Sequence, residues 1–371
     1  MHINATTSDL NYALNIATRA IAIRPVKNVY KGVLIETTDN GVLMTTTDGE
    51  MSIKTHVNAT VLEEGSVVMP AKLFSEIIKK QESGFLDIQV KENLRTVIKN
   101  NQSKTNLLAL EGEDFPDVMD LHTEHVITMP CSALKNAISK VAFSISLDES
   151  RKILTGILLD VRPEEVRLVT IDGFRLAMQR IITHNELTQE KVKLVIPGNI
   201  MSEISKILPD DDEIPVHIKY TKTHVEVLFQ NVQLLSTLLI GEFIDYERII
   251  PNSFVTEITL DCHQFADAVD RCALMSREAK ENLVNFHVQQ DVFTITAASE
   301  QGDIKEIIEV NGDFEEIKLT FNTRFMMDII RNVEGEKTMM CINTNVSPVV
   351  FRPLGNDKFL YLILPVRTFQ S

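Results

Sequence analysis

Apolar residues recur at Leu10, Ala13, Leu14, Ala17 and Ile21, the i, i+3, i+4, i+7 spacing of a helix with one buried face. The spacing predicts a helix over about residues 8–20, with Ser8 or Asp9 as N-cap and Asn11, Asn15, Thr18 and Arg19 off the stripe. The stripe returns as Leu134, Ala137, Ile138 and Val141, and again as Phe265, Ala268, Val269 and Cys272. Alternating segments follow each copy and predict strand pairs. GVLIETTDNGVLMTTTDG breaks at Asp39-Asn40-Gly41, a hairpin signal. Its counterparts GILLDVRPEEVRLVTIDG and LVNFHVQQDVFTITAASEQG are read as turning at Arg162–Glu165 and Gln289–Asp291.

A second amphipathic segment is also written three times. Residues 69–78 read MPAKLFSEII, 196–205 read IPGNIMSEIS and 321–330 read FNTRFMMDII. The shared positions are Leu73, Ile200 and Phe325, then Glu76, Glu203 and Asp328, then Ile77, Ile204 and Ile329, at offsets 200 − 73 = 127 and 325 − 200 = 125. These helices are expected to start near Pro70, Pro197 and Asn322, proline being suited to a first helical turn. A further strand pair closes each repeat. GEDFPDVMDLHTE and GEFIDYERIIPNSF read as equivalent connectors. The expected organisation is three α+β domains, 1–125, 126–254 and 255–371, each with two helices packed on antiparallel sheet. A repeated domain usually builds one shared surface, whereas an enzyme usually needs one asymmetric pocket.

The chemistry agrees. There is no phosphate-cradling GxxxxGK[ST] loop, GxGxxG after a strand, GxSxG elbow or HExxH. His122-Thr123-Glu124-His125 falls in a connector and reads as a solvated loop, as does Asp210-Asp211-Asp212-Glu213. Asp48 and Glu50 are formally an acid/base pair, and with Asp172 they define a hydrolase alternative. Thr47-Asp48-Gly49 returns as Ile171-Asp172-Gly173, however, and a repeated Asp-Gly at a strand end is more simply a turn. Cys131, Cys262, Cys272 and Cys341 are scattered and are expected to be reduced, apolar residues; no metal or cofactor is expected. No apolar run approaches membrane length, and the N-terminus lacks signal-peptide character, so a cytoplasmic protein is expected. The net charge of −15 argues against nucleic-acid binding unless basic residues are gathered on one face. Arg24, Lys27, Lys79, Lys80, Lys140, Lys206, Arg277 and Lys280 lie on or beside the inferred helices. They make either an ordinary polar face or a positive wall that touches phosphates without reading bases.

Taken in order, five motifs resemble the β subunit of bacterial DNA polymerase III, the sliding-clamp family, over the whole chain. They are Thr47-Asp48-Gly49-Glu50, Gly112-Glu113-Asp114-Phe115-Pro116, Asp172-Gly173-Phe174-Arg175-Leu176, Asp245-Tyr246-Glu247-Arg248 and Leu364-Pro365-Val366-Arg367. The resemblance implies a head-to-tail homodimeric ring of six domains. Helices would line a hole around double-stranded DNA and sheets would lie outside. Arg24 would contact DNA, while Gly198 and Asn199 stand where the family often has basic residues. The resemblance also implies a partner-peptide groove of Leu154, Ile171, Gly173, Phe174, Arg175, Leu176, Ile244, Arg248, Ile249, Asn322, Phe325, Val346, Pro348, Ile363, Leu364, Pro365, Val366 and Arg367. Here Ile171, Phe174 and Ile244 replace a usual Thr, a usual His and a frequent Pro, making the groove more apolar. Implied partners are the polymerase III alpha subunit, the clamp loader with its delta and gamma/tau subunits, other polymerases, mismatch-repair proteins and ligase. Leu107 and Leu108 on an edge strand, with Leu274 and Met275 after the third-domain helix, are the expected dimer contacts. Phe369, in the run Thr368–Ser371 beyond the family's usual end, is expected either to cover the groove or to hang free. The alternative to a clamp is a triplicated peptide-binding scaffold that does not encircle DNA.

Overall fold

The computed structural model describes residues 1–22, 28–183 and 191–367. Arg24, Lys27 and Thr368–Ser371 lie outside these described residues. The chain forms two compact units, Met1–Lys135 with Glu203–Leu238, and Asn136–Ser202 with Leu239–Ser371.

Among the described residues, six α-helices alternate with antiparallel strands: α1 Thr7–Ala17, α2 Ala71–Lys79, α3 Cys131–Val141, α4 Gly198–Ile207, α5 Cys262–Glu278 and α6 Thr323–Ile330. α1 is shorter than its stripe suggests. Its N-cap is Thr6, whose Oγ1 accepts from Asp9 N at 3.1 Å, not Ser8 or Asp9. Its last part tightens into a 3₁₀ turn, Thr18–Ala20. Leu10, Ala13, Leu14 and Ala17 are all buried, the first three in one cluster with Phe74 and Ile78 of α2. A buried threonine answers the last carbonyl of α1: Thr46 Oγ1 donates to Ala17 O at 2.5 Å. The arrangement repeats after α3, where Thr170 Oγ1 donates to Val141 O at 2.7 Å. Each satisfies a helix-end carbonyl that would otherwise be orphaned. Pro70 caps α2 from outside the helix, and Pro197 ends the strand before α4, so neither proline stands within the first turn.

The first unit holds a 13-stranded sheet. Within it, strand Met51–Glu63 pairs with Val232–Thr237 through Met51↔Ser236, Ser52↔Leu235 and Ile53↔Leu234. The sheet therefore runs unbroken from the first repeat into the second. The second unit does the same with an eight-stranded sheet: Arg175–Ile182 pairs with Phe359–Ile363 through Arg175↔Ile363 and Leu176↔Leu362. We call these two strand pairings the first and second joints.

The hairpin turns at Asp39-Asn40 and Arg162–Glu164 fall as expected. The third falls there too, within the span Leu283–Ser299. Gln290 takes a positive φ of 52°, and Phe286 and Phe293 meet with ring centroids 5.1 Å apart, which seven residues of straight strand, about 23 Å long, would forbid. The register against Gly302–Asn322 shifts on both sides of Gln290. α5 is longer than expected and contains Leu274 and Met275. Phe265 of α5 packs against Phe286, Phe293 and Phe351 at ring distances of 5.8, 5.9 and 6.0 Å.

Candidate peptide-binding groove at the second joint

The second joint begins with a turn. Asp172 Oδ1 accepts from Phe174 N at 2.9 Å and Arg175 N at 3.0 Å, and Gly173 takes φ 96°. Asp48 does the same at the first joint, accepting from Glu50 N at 2.9 Å and Met51 N at 2.8 Å, with Gly49 at φ 97°. Both aspartates spend their side chains on a turn that only glycine completes without strain, which disposes of the hydrolase reading of these carboxylates.

Beyond the turn, the structure brings most of the expected groove residues together. Leu154, Ile171 and Leu176 are buried in one cluster with Phe243, Tyr246 and Leu362, and Ile249 packs on its edge. Ile363 is buried beside them and pairs with Val349, next to Pro348. Above this floor lie apolar side chains that no other described residue covers. Phe174 is 60% exposed, its ring 5.8 Å from that of Phe325. Its carbonyl accepts from Leu364 N at 2.9 Å, and Val366 N donates to Thr320 O at 2.7 Å. Ile244, Val346, Leu364 and Val366 are all exposed. A floor of buried aliphatics under an exposed apolar lip is a surface suited to an apolar chain.

Two of the expected polar groups, Arg175 and Asn322, serve the fold, while the third, Arg248, stays exposed. Arg175 is 7% exposed. Its Nε donates to Asp172 Oδ2 at 2.8 Å, Nη1 to Asp328 Oδ2 at 2.6 Å and Nη2 to Phe143 O at 2.6 Å. Its guanidinium also lies 4.3 Å from the Phe325 ring centroid. It is a hub that seats Phe325 and α6 against the joint, not a free anchor. Asn322 Oδ1 accepts from Phe325 N at 3.2 Å and so caps α6. Arg248 Nε pairs with Asp245 at 2.9 Å. Pro365 is half-buried and Arg367 exposed.

The connector residue Tyr246 is buried and anchored by charge. Its hydroxyl donates to Asp160 Oδ2 at 2.5 Å, and Arg162 Nη2 reaches Asp160 Oδ2 at 2.6 Å and Glu247 Oε1 at 2.9 Å. Burial alone raises the Asp160 pKa, but the hydrogen bonds from Arg162 and Tyr246 outweigh it and hold the carboxyl below its ordinary range. Burial and the Asp160 contact push the Tyr246 phenol up. Glu165, opposed by burial, is likewise held low by Arg180 and Arg167, and Glu247 by its bond from Arg162. Asp160, Arg162 and Asp328 were not expected at the site. Only Asp328 had a signal, as the shared acid of the triple repeat.

The other expected sets divide. Lys79, Lys80, Arg277 and Lys280 are exposed. Lys206 pairs with Glu203 at 2.7 Å. Lys140 is half-buried and lies 3.6 Å from Glu334, which also takes Lys358 at 2.8 Å, so its charge is already answered. Leu108 is 70% exposed on the edge strand Lys104–Leu108, but Leu107 points into the core and is not a surface contact. Alternation along a strand explains the split. Leu274 is exposed and Met275 half-buried against Ser299. All four cysteines are free, and burial raises the thiols of Cys131, Cys272 and Cys341 to about 11. Among the described residues there is no metal-like cluster and no helix long and apolar enough to cross a membrane.

A triplicated α+β chain whose specific features sit at the joints between repeats is a non-catalytic binding scaffold of the clamp type. Models of the DNA polymerase III beta subunit match it in sequence: the N-terminal domain over residues 1–120, the central domain over 128–245 and the C-terminal domain over 247–367. A beta sliding clamp of Bacillus subtilis (strain 168) is 30% identical over 364 residues, 95% of each chain. One of Staphylococcus aureus is 29% identical over 367 residues, 96% of each. The crystal structure of a Bacillus subtilis DNA polymerase sliding clamp matches with a TM-score of 0.94 at 29% identity, covering 100% of both chains. The chain belongs to the DNA polymerase III beta subunit family. It is a processivity clamp and not an enzyme.

Proposed function

We propose that two copies close head to tail into a cytoplasmic ring around double-stranded DNA, dividing the chain into clamp domains 1–125, 126–254 and 255–371. Partners are tethered through the second joint. The observation that carries this reading is the apolar lip of Phe174, Phe325, Leu364 and Val366 over a buried floor. Such a surface suits a short peptide with aliphatic and aromatic residues. The polymerase III alpha subunit, the clamp loader with its delta and gamma/tau subunits, other polymerases, mismatch-repair proteins and ligase would share it. Arg24, Lys27, Lys79, Lys80, Arg277 and Lys280 would face the DNA, with Lys140 and Lys206 weaker contributors because Glu334 and Glu203 neutralise them. A ring holds DNA by enclosure, so few phosphate contacts suffice and a net charge of −15 is no obstacle. Loading onto nicked circular DNA, followed by linearisation, tests the reading. The loaded chain should persist on the circle and slip off the linear product; equal retention on both would sink it.

A further inference from the structure

The third repeat carries a polar cleft beside the groove. The hairpin that turns at Gln289–Asp291 pairs with Gly302–Asn322 through His287↔Lys318, Asn285↔Thr320 and Thr296↔Lys305. Phe286, Phe293, Ile295 and Leu319 are buried in the core. Alternation therefore turns their strand neighbours His287, Thr294, Thr296, Lys318 and Thr320 to the opposite face of the sheet. There, with Lys305 and Asn285 among others, they line a cavity of about 580 Å³.

The cleft is basic in an acidic chain. Lys305, Lys318 and His287 line it and no described Asp or Glu does, although the net charge is −15. Glu316 at its edge takes both Lys318 at 2.9 Å and His287 at 3.0 Å, so one carboxylate is shared between two cationic side chains. Lys305 is exposed and makes no ion pair among the described residues. Asp303 and Glu309 lie on the same strand as Lys305 but do not line the cleft. Glu306, next in sequence, is held by Arg271 of α5 at 2.7 Å. An anionic group entering the cleft meets Lys305 with no described carboxylate in the way.

The cleft is also continuous with the lip of the groove. Thr320 Oγ1 donates to Asn285 Oδ1 at 2.8 Å inside the cleft, while Thr320 O accepts from Val366 N of the lip at 2.7 Å. Asn345, another lining residue, precedes the exposed Val346. Lys318 is two residues from Thr320, about 7 Å along an extended strand, so about three residues of a peptide leaving the lip reach it. We infer that the cleft receives acidic residues flanking the segment seated in the groove, with Lys305 and Lys318 as their counter-charges. The inference rests on the groove reading proposed above and adds the chemistry of the flank.

Fluorescence titration of the full chain tests it, with a labelled peptide carrying Gln, Leu and an aromatic residue, extended at either end by a short run of Asp or of Ser. At low salt an Asp run at one end should tighten binding about fivefold over the Ser run, and the gain should shrink as salt rises. Lys305→Gln combined with Lys318→Gln changes only exposed side chains. It should abolish the gain and leave the Ser-extended peptide within about twofold of its affinity for the parent chain. Asp runs that tighten binding at neither end, or a gain that survives the double substitution, overturn the inference. A single-stranded oligonucleotide that loses affinity in the double variant while the Asp runs do not assigns the cleft to nucleic acid and overturns it too. A Ser-extended peptide that fails to bind the parent chain sinks the groove itself, so the two failures are distinguishable.

Discussion

The two joints share a backbone and differ in what they display. Each opens with an Asp-Gly turn and continues into a strand that pairs with the next repeat. At the first joint the residues after Gly49 are Glu50, Met51 and Ser52, and a cavity of about 270 Å³ there mixes Thr47, Glu50, Ser52 and His224 with Val118, Met119 and Leu235. At the second they are Phe174, Arg175 and Leu176, and the surroundings are aliphatic and aromatic. A few side chains on one scaffold separate a mixed seam from an apolar docking surface.

The acid–cation contacts sharpen the difference. Arg175 is buried and spends three donors, so Arg175→Ala should cost about 3 kcal/mol in chemical denaturation, leaving Asp172 and Asp328 without their cation. Arg19 and Glu203, 3.3 Å apart, are partly solvated, and Arg19→Ala should cost under about 1 kcal/mol. Equal costs would show that the second joint is no more dependent on its cation than the first.

Next in size is the connector. Tyr246→Phe removes the hydroxyl bond to buried Asp160 and should cost about 1–2 kcal/mol. The same network gives a pH dependence. Asp160, Glu165 and Glu247 are held below their ordinary pKa values, so they bind protons more weakly folded than unfolded. Their stabilisation is complete above about pH 4–5 and is lost as pH falls through their depressed values. Near the first joint, solvated Asp120 is lowered by its bond from Lys54. On acidification, protection factors for hydrogen exchange, taken against the intrinsic rate at each pH, should therefore fall more over 239–250 than over 112–124.

The smallest effect is at the lip. Phe174 is exposed, so Phe174→His should change stability by no more than about 0.5 kcal/mol, while weakening an apolar peptide several-fold in a fluorescence titration.

Periodicity carried most of the fold into view. The stripes of α1 and α5 and the turns at Asp39-Asn40 and Asp172-Gly173 are local patterns with local causes. Periodicity reports burial, however, not partners. It could not separate Leu107 from Leu108 without knowing which strand face meets the core. The resemblance puts Arg175 in the groove, and nothing in its sequence neighbours reveals its bond to Asp328, 153 residues away. The shared acid was visible in the repeat, but its purpose needed coordinates.

The central claim is that the second joint, and not the first, takes partner peptides. Leu176 is too deeply buried for a clean test, since an aspartate there would undermine the cluster. Leu364 is 38% exposed and serves better. A labelled peptide carrying Gln, Leu and an aromatic residue should be titrated against Leu364→Asp and against Ser52→Asp at the first joint, with the dimer checked in each. The account predicts lost binding in the first variant and unchanged affinity in the second. Retained affinity in Leu364→Asp, or equal losses in both, would contradict it.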